Sequence, residues 1–219
     1  MATYTSGAIN EVLIGTGVLY IADRTTSNLA FPTDDSNDTG NWEAVSSDWR
    51  DIGYSEDGWT LEIDRTFEDI LVAEEVDPIK TIKTAQEARL MGELSQASLV
   101  NLSVAMGQSD AFVSENDSNF ATGYSVVNAP LTNEFKELAG LLITEGPAGA
   151  DRHIQMPRMV SVGAFSMSHA KAPQKVVIAT EFKLLVPDAA GINVGNPGGK
   201  FKLFRIVDNT NDSTTFDVN

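Results

Sequence analysis

The chain has 219 residues, of which 42% are hydrophobic, and it contains no cysteine. This length and apolar content are sufficient for a packed core, and the lack of cysteine excludes disulfides, thiolate zinc sites and thiol nucleophiles. The formal net charge is −16, and residues 34–77, with 15 acids and two bases, contribute −13 of it. Such an acidic surface disfavours binding to the phosphate backbone of nucleic acids.

The first part of the chain predicts an arm, a strand and a loop. Residues 1–17 begin with a small, polar segment and lack the pattern of a signal peptide, which predicts an N-terminal arm on a protein made in a cytoplasm. Val18–Ala22 predicts a short β-strand. Residues 25–47 are rich in Ser, Asn, Asp, Gly and Thr, which predicts a long acidic surface loop.

Two strands are predicted next. Residues 59–65 alternate between apolar and polar side chains, the period of a strand with one buried face. Gly58, directly before them, predicts a turn. Residues 70–73 extend the apolar pattern, and residues 79–91 predict a further strand after the interruption at Pro78.

A single helix is predicted over about residues 95–106. Ser95 is the expected N-cap and Gly107 the expected residue just beyond the C-terminus. The helical period of 3.6 residues brings three apolar side chains onto one packing face, Leu99, Leu102 and Met106.

The remainder of the chain is β-forming. Strands are predicted over residues 137–144, 159–168 and 175–186, followed by a connector rich in Gly and Pro over 188–199 and an apolar segment over 201–207. The predicted fold is therefore mainly β, a β-sandwich or barrel-like domain with one flanking α-helix, two arms and the acidic loop. The expected division is an N-terminal arm (1–17), a β domain (18–190) and a hinged C-terminal arm (191–219).

Residue patterns typical of catalysis are missing, which predicts a protein that is not an enzyme and needs no cofactor. His153 and His169 have no cysteine or spaced carboxylates to form a metal site with them, and no serine lies in a nucleophile elbow. Residues 35–46 match the start of a calcium loop but end in Ser46 where a bidentate Glu is needed. A carbohydrate- or calcium-dependent binding module stays open, with three tryptophans expected to be exposed, Trp42, Trp49 and Trp59.

The segment from Trp49 to Gly107 resembles the major tail tube proteins of long, non-contractile-tailed bacteriophages. The resemblance is carried by the entry DWRDIGYSEDGWTLEI, the acidic stretch DRTFEDILVAEEVDPI and the strand-to-helix passage TAQEARLMGELSQASLVNLSVAMG. It implies a β-sandwich with a flanking helix that self-assembles into hexameric rings. The rings would stack into a virion tail tube through which genomic DNA passes without specific binding.

The resemblance also implies partners and surfaces. Tape measure, tail-tip and terminator proteins would be partners, and no membrane is involved. The channel would be acidic, with a lumen-facing set of Glu62, Asp64, Thr84 and Gln86. The hinged arm would contact the adjacent ring through Phe201, Leu203, Phe204 and Ile206. Another virion part, such as a neck or capsid-decorating protein, is the alternative within the same context.

Overall fold

The computed structural model of the protein describes residues 17–24, 31, 48–73, 77–108, 127, 135–145, 151–166, 176–187 and 203–208. These residues form one helix, α1 (Leu99–Ala105), and eight strands: β1 (Val18–Asp23), β2 (Arg50–Asp51), β3 (Ser55–Ile70), β4 (Lys80–Leu94), β5 (Leu138–Glu145), β6 (Asp151–Ser161), β7 (Ile178–Leu184) and β8 (Arg205–Asp208). All eight strands join one antiparallel sheet. The mainly β fold with a flanking helix is thus confirmed. In these ranges no helix has the length and apolar character needed to cross a bilayer.

The sheet curls back towards itself. Its strand order is β2-β1-β5-β6-β7-β4-β3, with β8 paired to β6, so β2 and β3 stand at opposite ends. In a flat sheet, six strand intervals would separate them by about 29 Å. The chain from Asp51 to Ser55 spans four peptide links and reaches at most about 15 Å. The two ends must therefore lie close together, which gives the predicted barrel-like form.

The main core lies on the concave face of this curl. In β7, Ile178, Phe182 and Leu184 are buried and alternate with more exposed residues, as a strand with one apolar face requires. One buried cluster joins Leu19 of β1 to Leu90 of β4, although β5, β6 and β7 lie between them in the sheet. Burial of both ends of the strand order in one cluster stabilises the curled sheet.

A smaller cluster covers the opposite face of β1 and β5. Phe31 and Trp49 pack there with ring centroids 5.2 Å apart, over Leu141 and Ile143. Trp59 of β3 packs against the main core. The expectation of exposed tryptophans is therefore wrong for Trp49, which is buried. Trp59 is only partly exposed. Trp42 lies outside the described residues.

The helix begins later than predicted. Ser95 is held outside it, because its N–H donates to Tyr54 O at 2.9 Å and its hydroxyl donates to Glu56. Ser98 is the N-cap instead, and its Oγ accepts from the Asn101 N–H at 3.2 Å. The Asn101 side chain donates in turn to Ile52 O at 2.7 Å, which ties the helix to the link between β2 and β3.

The predicted end of the helix is confirmed. Gly107 adopts φ 76° and donates to Val104 O, while the Gln108 N–H donates to Ser103 O. These two bonds satisfy carbonyls that have no partner within the helix. Of the predicted packing face, Leu102 packs against the main core, Leu99 is 37% exposed, and Met106 follows the last helical residue.

Two further boundaries differ from the sequence prediction. Gly58 lies within β3 and not in a turn, with φ 85° at a register shift between Ser55 and Trp59. β6 begins at Asp151, well before the predicted residue 159. Its first half contains Arg152, His153 and Gln155. These polar residues interrupt the apolar periodicity from which a strand is predicted.

A carboxylate bridges two arginines beside the main core. Glu137, just before β5, accepts hydrogen bonds from Arg24, which follows β1, and from Arg158 of β6. Arg158 also donates to Val186 O at 3.1 Å. The hydrogen bond from Arg158 is the main cause that lowers the pKa of Glu137, and Arg24 adds to it. The bridge therefore joins three segments of the sheet through one charge.

We expect Glu137→Gln to destabilise the fold by about 1–2 kcal/mol at pH 7, because two partly buried guanidinium groups lose their counter-charge. A lowered folded-state pKa contributes stability above the unfolded value of about 4.3, and this stability is lost as the pH falls through the folded value. Urea unfolding at pH 7 and below pH 4 checks both points. A difference between variant and parent that persists unchanged in acid contradicts the assignment.

Candidate assembly surface

The hairpin formed by β3 and β4 extends beyond the sheet. β4 pairs with β7 only from Arg89 to Leu94, whereas its pairing with β3 continues to Lys80. Residues 80–88 therefore protrude together with their β3 partners, and the hairpin closes with the Ile79 N–H donating to Ile70 O at 3.0 Å. Nine residues at about 3.3 Å each give an arm of roughly 30 Å.

Both edges of this arm lack strand partners among the described residues. β3 pairs only with β4, and residues 80–88 of β4 pair only with β3. A two-stranded hairpin without a covering layer is marginally stable in water. Its outward N–H and C=O groups are also a template for pairing with another strand. The arm therefore presents two open strand edges in the described structure.

The arm also carries exposed apolar side chains. Phe67 is 55% exposed, and the turn end is apolar on both faces. These side chains lie on both faces of the arm, with Ile63 and Phe67 on one face and Ile70 and Ile82 on the other. The exposed apolar residues of the arm are Ile63, Phe67, Ile70, Leu71, Ile79 and Ile82.

The four predicted lumen residues do not share one face. Glu62 and Asp64 lie two apart in β3 and point to the same side. Gln86 is paired directly with Arg65, so it lies on the opposite face. Thr84 stands at a register shift, where its hydroxyl donates to Thr66 O at 3.3 Å. Only the first two therefore form one acidic surface.

An ion network anchors the base of the arm to the sheet. Glu87 accepts from Arg89 at 2.8 Å and from Lys183 of β7 at 3.1 Å, and Arg89 also pairs with Glu181. The hydrogen bond from Lys183 is the main cause that lowers the pKa of Glu87. Asp64 lies directly opposite Glu87 in the pairing. The two cations thus offset a like-charge pair that would otherwise weaken the hairpin.

The sequence alone gives little sign of this network. Glu87 and Arg89, like Glu181 and Lys183, are spaced two apart and lie on one face of their strands. That alternation of opposite charges is the only signal available. It becomes informative once β4 and β7 are known to be neighbours.

Part of the predicted C-terminal arm belongs to the sheet. β8 pairs with β6 of the same chain, and Leu203 and Phe204 pack partly against the main core. Ile206 remains 51% exposed. Phe201 lies outside the described residues, as do most of the N-terminal arm, the acidic loop and the connector over 188–199. The contacts predicted between rings stay a prediction.

The chain is similar to solved structures, whereas no family model or curated protein matches its sequence. Among solved structures, it is similar to a chain of the anti-feeding prophage baseplate, determined by cryo-EM with sixfold symmetry. The identity is 9%, the TM-score is 0.43, and the match covers 94% of this chain and 97% of that chain. Similarity at this level does not establish a shared function.

Proposed function

We propose that the protein is a structural subunit that assembles with copies of itself into a hollow tube of stacked rings, the tail tube of a bacteriophage. The observation that carries this proposal is the protruding arm, with two open edges and apolar side chains on both faces. A monomer would leave these groups in water. A neighbouring copy supplies strand edges of the same kind, so the arm and its partner satisfy each other.

The rest of the molecule fits a building block. The base of the sheet curls so that the two ends of its strand order lie close together, and it has its own buried core. Contacts between unlike surfaces of identical subunits close into rings when the rotation between copies allows it. The resemblance of residues 49–107 to tail tube proteins supports stacking of such rings into a tube.

The acidic side of the arm is proposed to line the channel. Asp64 and Glu68 lie on it, and Glu62 lies on the same side of β3 at the base of the arm. A wall with this charge repels the phosphate backbone and leaves DNA free to slide, because Arg89 and Lys183 on the same side are already paired with Glu87 and Glu181. Gln86 lies on the opposite face and Thr84 stands at the register shift, so the proposed wall consists of the acidic residues alone.

The experiment is electron microscopy of the purified protein over a range of concentration and salt. We expect rings or tubes of uniform diameter, with Glu62 and Asp64 on the inner wall of a reconstruction. A strictly monomeric protein under all conditions contradicts the proposal. Rings that never stack would instead favour a neck or decorating protein.

A further inference from the structure

A cavity of about 410 Å³ opens at the base of the arm, between β3, β4, β7 and the segment after β6. Its volume lies within the range of roughly 300–1,000 Å³ that is typical of binding pockets. Five of its eleven lining residues are glycine or alanine, which leaves space between the larger side chains. These small lining residues are Gly58, Gly92, Gly163, Ala164 and Ala179.

The walls of the cavity are fixed by close backbone contacts. A Cβ on Gly92 would lie 2.5 Å from the ring of Trp59, so this position is restricted to glycine. Gly163 approaches the Glu181 backbone, and a Cβ there would lie 3.0 Å from the Glu181 N atom. The N–H groups of Val162 and Gly163 both donate to Glu181 O, at 2.8 and 3.2 Å. The cavity is therefore preformed.

The rim of the cavity is negatively charged. Asp57 and Glu93 line it, and neither has an ion-pair or hydrogen-bond partner within the described ranges. Glu181 also lines it but is paired with Arg89. An occupant with an apolar body and one positive charge would match both the interior and the rim.

The end of the arm carries both apolar side chains and a positive charge. Ile70 is paired directly with Lys80, and Ile82 lies two residues further along β4 on the same face. All three side chains are exposed. Lys80 has no ion-pair partner in the part of the chain that the structure describes. Two apolar side chains and one cation thus lie on the same face at the end of the arm.

We infer that the arm end of one copy docks into the cavity of a second copy, with Ile70 and Ile82 in the interior and Lys80 facing Asp57 and Glu93. A chain cannot fill its own cavity, because its arm end lies roughly 30 Å from its own arm base. Each contact joins an arm end to the base of the next arm. Copies linked in this way repeat along the arm at roughly its length, about 30 Å.

This inference rests on the proposed self-assembly, and the lack of cysteine in the chain gives a clean crosslinking test. Ile82→Cys and Ala179→Cys proteins are mixed in equal amounts, assembled, and treated with a short bifunctional maleimide. We expect a crosslinked dimer only in the mixture, and a ladder of multimers from the double variant. Ala97→Cys replaces an exposed alanine that does not line the cavity, and it serves as the matched control in place of Ala179→Cys.

A second test exchanges the charges. Lys80→Glu and Glu93→Lys should each raise the concentration needed for assembly by about tenfold or more. The two substitutions combined should assemble at a concentration at least about threefold lower than either single variant needs, since one pair is re-formed in reverse while Asp57 keeps its charge. Failure of the combined variant to recover overturns the pairing.

The outcomes separate the inference from the proposed function. Tubes that form normally but crosslink Ile82→Cys to Ala97→Cys as well as to Ala179→Cys, or to neither, refute docking in the cavity and leave the tube intact. Crosslinking of Ile82→Cys protein to itself shows contact between arm ends and also refutes it. A protein that stays monomeric under all conditions refutes the tube and the docking together.

Discussion

A variant with a shortened arm is expected to fold but to remain monomeric at concentrations where the parent assembles. In this variant an Asn-Gly turn replaces residues 64–87, so that Ile63 and Ala88, which are paired in the parent, flank the turn. Because the described side chains among those removed are exposed or only partly buried, the main core is unchanged. The expected loss is large, because both open edges of the arm and five of its six exposed apolar side chains are removed.

Sedimentation velocity and thermal unfolding measure the two halves of this prediction. Thr84→Ser keeps the length and charge of the arm, and it should assemble like the parent. Burying only two isoleucines of the arm is worth about 3 kcal/mol, or about 100-fold in the concentration needed for assembly. Tubes formed by the shortened variant at the parent's concentration would contradict a role for the arm.

Phe182→Ala is expected to destabilise the fold by about 3–5 kcal/mol. Phe182 is fully buried in β7, where it pairs with Leu90 of β4 and Ser161 of β6. Removing the ring leaves a cavity at the strand that joins the arm to the rest of the sheet. Equilibrium unfolding in urea gives the free energy change directly.

Phe165→Ala is the matched control for this prediction. The same ring is removed, but Phe165 is 39% exposed and lies after β6, outside both buried clusters. We expect a change below about 1 kcal/mol. Equal losses in the two variants would mean that the concave face of the sheet is not the main core.

The sequence predicted those strands whose apolar residues alternate over a buried face. Val18–Ala22 and residues 175–186 show the pattern and became β1 and β7. β6 was placed too late because its first half is polar and contains Pro157. The position of the helix cap depends on contacts distant in sequence, because the hydrogen bond from Ser95 to Tyr54 O holds that serine outside the helix.

The arm could not be predicted from its own residues. Phe67, Ile70 and Ile82 alternate with polar neighbours in the same way as core residues do, so hydrophobic patterning gives no sign that they are exposed. Exposure follows from the shortness of β7, which pairs with only the last six residues of β4. Pairing partners, and with them the curl and the ion network, are set by contacts distant in sequence.

Hydrogen exchange of the arm tests the central claim most directly. In the dilute subunit, the outward N–H groups of residues 62–70 and 80–88 have no strand partner in the described structure and should exchange quickly. In assembled tubes, pairing with a sister molecule should slow exchange in both segments, while the amides of β7 stay protected throughout. Tubes in which both segments of the arm exchange as fast as in the monomer would contradict the claim.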